Sequence, residues 1–488
     1  MNYDIIIVGS GPSGLALAQC FSFINKKVLI VEKESDIGGC HRVRRVVVEN
    51  EKLFTEHGPR VYSSTYKVFI TLLSKMDLDF YDLFVPYKFN ITTIGKESIW
   101  SALSFKELSL LFLDFSTLLV NNNHGKKISM KDHLTYLNFS KKSLDMIDRI
   151  CRLTDGAGYD NYTLYQFLQL LNQQFFYGLY QPNEPTDTGL LKKWRDFLEK
   201  NGVTFLLNTT VERIEAMDNI ITGIVIKRND QTSFVKIIAN KYILAIPPKS
   251  IVSLIKNNIT VKDAFGDFNT LEKWSEQTAY IDYITVSFHW DKKLKLPDVY
   301  GFPKSEWGLA FIVLSDYMNL EEKSSKTVIS ASVTIKDNKS KRNGKKIDEC
   351  NKEELMDEIY FQLLESFPLL PLPKRMILSP GVVKINNEWK CIDTAFVATS
   401  KQPNIPFKSN KFYNLFNVGT HNGKSIYNFT SLEAAVTNAV KLGHYLYPEL
   451  KEEFYISSSF TVKEIFWICI FIIIISILLK KNIYIKNK

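Results

Sequence analysis

The sequence predicts an α/β protein. A parallel sheet carries a phosphate-cradling turn, a second α+β domain is threaded through the first, and an apolar helix closes the C-terminal end. Three observations predict this. The stretch "YDIIIVGSGPSGLALAQCF" runs β-branched strand, glycine turn, helix. A second apolar run, "KKVLIVEK", ends in Glu32, 18 residues after Gly14. The segment "IFWICIFIIIISILL" (465–479) has fifteen consecutive residues without a charge.

Ile5–Val8 is short, apolar and unbroken, as a strand buried on both faces must be. The glycines after it permit a tight turn and a close approach of backbone to a bulky group. From Leu15 to Phe23 the pattern is helical, with Ala16 and Ala18 small enough to press on a sheet. Strand, glycine turn and helix N-terminus form a cradle for phosphate, because free N–H groups and a partial positive charge meet there. Glu32 stands where a dinucleotide fold places a carboxylate for a ribose hydroxyl. Next come a glycine loop in "KESDIGGCHRV" and a turn in "KLFTEHGPRVYSS".

Residues 66–200 read as mostly helical, and "NGVTFLLNTTVERIEAMDNIITGIVIKR" alternates like strands of a small sheet. "NKYILAIPPKSIVSLI" is a buried strand stopped by prolines and followed by a helix. Residues 278–335 alternate again and predict an antiparallel sheet. Residues 352–367 predict an amphipathic helix, and 412–448 run strand, glycine loop, helix. The expected division is a discontinuous nucleotide-binding domain (1–75, 200–255, 410–450), a second domain (76–199, 256–409), a linker (451–464) and a membrane-crossing helix (465–479).

A chain of 488 residues exceeds one ordinary core. The net charge of +9 is modest, and part of it lies in Lys480, Lys481, Lys486 and Lys488. No basic stripe with interleaved aromatics appears, which argues against a nucleic-acid partner. The run "KSKRNGKK" (339–346) reads as a solvated loop. The six cysteines, at 20, 40, 151, 350, 391 and 469, have no metal-site or C-x-x-C spacing. A reducing compartment follows, and the first strand leaves no room for a signal peptide. As a helix the apolar run 465–479 measures roughly 22 Å. Extended back to Phe460, with Lys463 snorkelling, it reaches a spanning length. The expectation is a single-pass tail anchor in a lipid bilayer with a cytosolic body.

Five segments, "VGSGPSG", "VEKESDIGG", "TEHGPR", "YILAIPP" and "LFNVGT…TSLEAAVTNA", resemble the FAD-dependent amine oxidase superfamily in order and spacing. This superfamily includes monoamine oxidases, phytoene desaturases, protoporphyrinogen oxidases and UDP-galactopyranose mutases. The resemblance implies a Rossmann-like FAD-binding domain with non-covalent FAD. Gly9, Gly11, Pro12, Ser13 and Gly14 would surround the pyrophosphate. Glu32, with Lys33 beside it, would bind the adenosine ribose. Gly39 and Cys40 would lie under the ribityl–phosphate region, and Gly58, Pro59 and Arg60 near the isoalloxazine ring. Val211 would hold the adenine, Gly419 and Thr420 the phosphate and ribityl chain. Leu432 would open the helix facing the flavin carbonyl. Cys40 replaces the arginine usual after the paired glycines, with His41 or Arg42 available to carry its charge.

The implied reaction is hydride transfer from a substrate C–H bond to flavin N5. The candidate residues beside it are His421, His289, Arg60 and Tyr427, with Cys391 considered for covalent attachment. The substrate would be a small molecule, either lipophilic (isoprenoid, porphyrin, lipid) or an amine. A redox-neutral flavin mutase and an escort-like binding protein on the same fold are the alternatives.

Overall fold

The computed structural model describes residues 3–55, 60–86, 99–155, 157–280, 282–296, 305–321, 323–397, 405–425, 427 and 430–486. Its centre is a parallel sheet of five strands drawn from distant parts of the chain. They are β1 (Tyr3–Val8), β2 (Val28–Val31), β3 (Thr204–Leu206), β4 (Ala239–Leu244) and β5 (Leu415–Asn417), in spatial order β5-β4-β1-β2-β3. The chain leaves β1 for β2 on one side and pairs β1 with β4 on the other. The turn after β1 therefore sits where the strand order reverses, the place at which open α/β sheets bind ligands.

Alternate residues of these strands feed two separate cores. Ile5, Ile7, Val28, Ile30 and Ile243 face the helices α1 (Pro12–Phe23) and α2 (Leu432–Leu446). Ile6, Val8, Leu29, Val31 and Leu244 face a three-stranded antiparallel meander, Thr209–Met217, Ile220–Arg228 and Phe234–Ile237. Ile5, Ile6, Ile7, Ile30 and Ile243 are fully buried, and each contributes about 1.5–3 kcal/mol relative to an exposed side chain. The β-branched run is thus explained by burial on both faces.

The second region holds two units. One is helical: Phe105–Val120, Met130–Tyr136, Lys141–Asp155 and Leu164–Gln174 share one core. The other is a four-stranded antiparallel sheet in the order Ala310–Val313, Thr327–Val333, Ile284–Trp290, Arg375–Leu378. Helix Lys352–Leu364 covers one face of that sheet, where Ile284, Val286, Phe288 and Trp290 point. Within the stretch read as mostly helical, Phe84–Pro86 and Leu179–Pro182 are strands that pair with each other.

The C-terminal helix runs Val462–Lys486, beyond both limits of the apolar run. Thr461 and Glu464 set its start reciprocally: the Thr461 N–H donates to the Glu464 carboxylate at 2.8 Å, and the Glu464 N–H to Thr461 Oγ1 at 3.3 Å. Residues 480–486 contain no glycine or proline, and the helix continues through them. Over Val462–Leu479 the mean hydropathy is 2.6 and none of the window is buried, so it is long and apolar enough to cross a membrane.

Candidate nucleotide-binding site

Three glycines of the first turn do different work. Gly9 has φ +103°, and a Cβ there would lie 2.6 Å from the Ala245 carbonyl oxygen. A Cβ on Gly14 would lie 2.2 Å from the Gly9 carbonyl oxygen, so α1 can press on β1 only if this residue is glycine. Gly11 is different: a Cβ there meets only Gly39 Cα, at 3.9 Å, with open space beyond. Pro12 opens α1 at a position where its missing N–H costs nothing. The Ser13 hydroxyl donates to the Ala435 carbonyl of α2 at 3.1 Å, which brings the two helix N-termini together. Leu432 is the first residue of α2, and Ser431 caps it by accepting the Ala434 N–H at 3.0 Å. The first turns of α1 and α2 are therefore neighbours, and a helix N-terminus is a setting for an anion.

The Gly38–Gly39 loop closes over the turn. The Gly38 N–H donates to the Ser10 carbonyl at 2.9 Å, and Gly39 (φ +57°) stands against Gly11. Glu32, at the end of β2, is 6% exposed and accepts four donors. Three of these are hydrogen bonds, from the Ser10 N–H (2.9 Å), the Ser10 hydroxyl (2.6 Å) and the Glu34 N–H (3.1 Å), and the fourth is an ion pair with Arg42 (3.3 Å). Lys33 is exposed and lies 3.6 Å from Glu34. Val211 is half-buried on the neighbouring strand, two residues past Thr209, whose N–H donates to the Glu32 carbonyl at 2.9 Å.

An ionic chain that sequence reasoning missed crosses this site. Arg42 pairs with Glu32 and with Asp393 (3.0 Å), while Arg44 pairs with the same Asp393 and with Glu34 (3.0 Å). Cys40 carries no charge, and Arg42, two residues on, brings one to Glu32. Arg60 donates to the Cys40 carbonyl, and its own carbonyl accepts from Gln181. Gly58 and Pro59 lie outside the described residues, as does His57.

The far end of the chain completes the site. Gly419 and Thr420 follow β5 and stay half-exposed inside the fold. Three buried asparagines hold this turn. Asn422 accepts the Gly419 N–H at 2.8 Å, Asn438 donates to the Gly419 carbonyl at 2.7 Å, and Asn417 accepts from Asn422 at 2.8 Å. His421 is 3% exposed and bonds Asn417 Oδ1 through Nε2 at 2.9 Å. Burial pushes its pKa down to about 3, so the ring is neutral. Tyr427 is buried edge-on to Tyr66 at 5.8 Å, and burial raises the pKa of both phenols.

His289 belongs to the four-stranded sheet. Nδ1 lies 3.0 Å from the Ser325 hydroxyl, Nε2 has no partner among the described residues, and burial lowers its pKa to about 4. Burial also pushes the Cys391 thiol up to about 12 and raises that of Cys40. Neither offers the thiolate that covalent attachment would need. No cluster of three metal-ligating side chains occurs among the described residues.

Residues 7–75 match the family model for the NAD(P)-binding Rossmann-like domain. A UDP-galactopyranose mutase from Mycoplasma genitalium is 39% identical over 74 residues, which is 15% of this chain and 18% of that protein. Solved structures match over nearly the whole chain. Putrescine oxidase bound to putrescine superposes with a TM-score of 0.59 at 15% identity, over 91% of this chain and 99% of that one. A protein from Exiguobacterium assigned as a protoporphyrinogen oxidase gives 0.56 at 14% identity, over 92% and 99%. An oxidoreductase from Methanosarcina mazei gives 0.57 at 12% identity, over 90% and 99%.

Proposed function

We propose that this chain, which has the fold of the FAD-dependent amine oxidase superfamily, is an FAD-dependent oxidoreductase held in a membrane by its C-terminal helix. Gly11 carries the reading. It alone of the three turn glycines has open space where a Cβ would stand, and it precedes α1, whose first turn is bonded to the first turn of α2. A dinucleotide pyrophosphate has the charge and size such a cradle accepts.

Bound FAD would supply the hydride acceptor and hand the electrons to oxygen or another acceptor. The chain's own residues bind and orient it. Gly11, Pro12, Ser13 and Gly39 shape the phosphate seat, Gly419 and Thr420 close it from the far end, and the N-terminus of α2 offers a partial positive charge. Glu32 accepts three hydrogen bonds, two on Oε2 and one on Oε1, which leaves Oε1 an acceptor position for a ribose hydroxyl beside the Arg42 ion pair. Neutral, buried His421 holds its turn and exchanges no proton near neutral pH. The apolar helix supports a lipophilic substrate, and an amine follows from the fold's oxidase members.

The 74-residue identity to a mutase supports a second reading, in which flavin assists a redox-neutral rearrangement. The test is the visible spectrum of the purified chain before and after acid precipitation. Yellow protein whose colour stays in solution supports non-covalent FAD. A Gly11→Val chain that still holds stoichiometric flavin would overturn the site. Peroxide formed during turnover supports an oxidase, and product formed without electron transfer supports the mutase.

A further inference from the structure

We propose that helix Phe105–Val120 lies along the surface of the bilayer that receives the C-terminal helix, as a second membrane contact. The inference rests on the anchoring read above. It begins from how the tail leaves the body. Only the first turns of the tail touch protein: the Lys463 N–H donates to Asn172 at 2.9 Å, Lys463 Nζ to the Leu118 carbonyl at 3.3 Å, and Trp467 Nε1 to the Leu119 carbonyl at 2.9 Å. From Phe471 to Leu479 every residue is exposed.

Length then fixes depth. The uncharged run of 465–479 spans roughly 22 Å as a helix, short of a hydrocarbon core of ~30 Å. It has no turn to spare, so the turn bearing Trp467 has to enter the apolar region too. Leu118 and Leu119 are bonded to that turn, and helix Phe105–Val120 is carried to the same level.

Its outward face suits that level. Phe105, Phe112, Leu113 and Val120 are 87%, 71%, 63% and 62% exposed, at the spacing of one helical stripe. The polar members of the stripe offer water no free donor: the Ser109 and Ser116 hydroxyls each donate to a carbonyl one turn back, at 2.8 Å. Ser476 in the tail does the same. Beyond helix Leu164–Gln174, which also meets the tail through Asn172, Phe175 and Phe176 extend the apolar surface at 72% and 52% exposure. The inward face is fixed to the body. Glu107 accepts from Ser104, Ser140 and Ser143, and Asp114 from His124 and His133. A rigid, self-satisfied, apolar helix face beside an inserting tail is an interfacial element.

The experiment uses the full chain in phosphatidylcholine vesicles containing phosphatidylserine. An environment-sensitive dye is placed on Leu113→Cys or, separately, Val120→Cys. Both are made in a Cys469→Ser background, and that background alone gives the blank for half-buried Cys40. Alkaline carbonate extraction reports on the tail independently. The expected result is a carbonate-resistant chain whose dye shifts to the blue and is quenched by lipids spin-labelled near the headgroup. A carbonate-resistant chain with a water-like dye overturns the proposal and leaves anchoring intact. A blue-shifted dye that those lipids do not quench means a second copy covers the face, and also overturns it. Release by carbonate removes the anchoring premise, and the proposal with it.

Discussion

The two large sheets of this protein are specified in different ways. The parallel sheet is apolar on both faces, and the residues that matter around it are glycines, chosen for where backbone must pass. The antiparallel sheet is mainly apolar on the face under helix Lys352–Leu364. Its other face mixes Ala310, Ile312 and Val328 with Thr285, Ser287, His289, Ser330 and Ser332, all buried. Thr285 and Ser332 share a hydrogen bond of 2.6 Å, whereas the facing Ser287 and Ser330 hydroxyls have no partner among the described residues. Backbone requirements leave a motif behind. Side-chain requirements of this second kind leave only an alternation.

The largest effect that would break this contrast lies within the first turn. Gly14→Ala should destabilise the fold by about 3 kcal/mol, the upper end of overpacking costs, because its Cβ meets the Gly9 carbonyl oxygen. Gly11→Ala should cost about 1 kcal/mol, as a helix N-cap substitution does, while lowering flavin retention. Chemical denaturation of the two variants checks the difference. If they behave alike, the glycines do not divide their roles as described.

Next is the ionic chain. Asp393→Ala leaves Arg42 and Arg44 without a shared carboxylate and should cost about 3 kcal/mol, the scale for removing one member of a buried pair. Asp393→Asn should recover part of it. Equal losses would mean the charge is not what holds the arginines.

A smaller effect is one of pH. The folded pKa of His289 lies below its usual 6.5, at about 4. The unfolded chain therefore binds the extra proton first, and stability falls as pH drops from 6.5 towards 4. Buried Glu433 has the opposite sign, because its folded pKa is raised from 4.5 to about 7. His289→Gln should flatten the acid-side loss in unfolding midpoints measured across that window. An unchanged slope would remove His289 as a cause.

The smallest effect is expected where the antiparallel sheet looks most polar. Ser287→Ala together with Ser330→Ala removes no hydrogen bond and should shift stability by less than about 1 kcal/mol. A larger loss would show that these hydroxyls do structural work the contrast denies them.

The same division explains what was legible in advance. The first turn, Glu32, the prolines after β4 and the glycine after β5 were readable because each answers a local backbone or spacing demand. Asp393 was not, because its partner Arg42 stands 351 residues away and neither lies in a motif. Asn417, Asn422 and Asn438 hold the Gly419 turn, yet an asparagine-rich chain hides them. The tail helix starts at Val462, three residues before the uncharged run, because Thr461 and Glu464 are a helix signal within a segment read as linker.

The strand order also sets a schedule for synthesis. β1 is made first, but its sheet lacks its last strand until Leu415–Asn417 has been made and α2 has followed. At about 5–20 residues per second, the glycine turn waits on the order of 20 to 80 seconds before the segment that completes its cradle exists. The tail helix starts at Val462, 16 residues after α2 ends at Leu446, so completion of the turn and emergence of the apolar helix fall at almost the same moment.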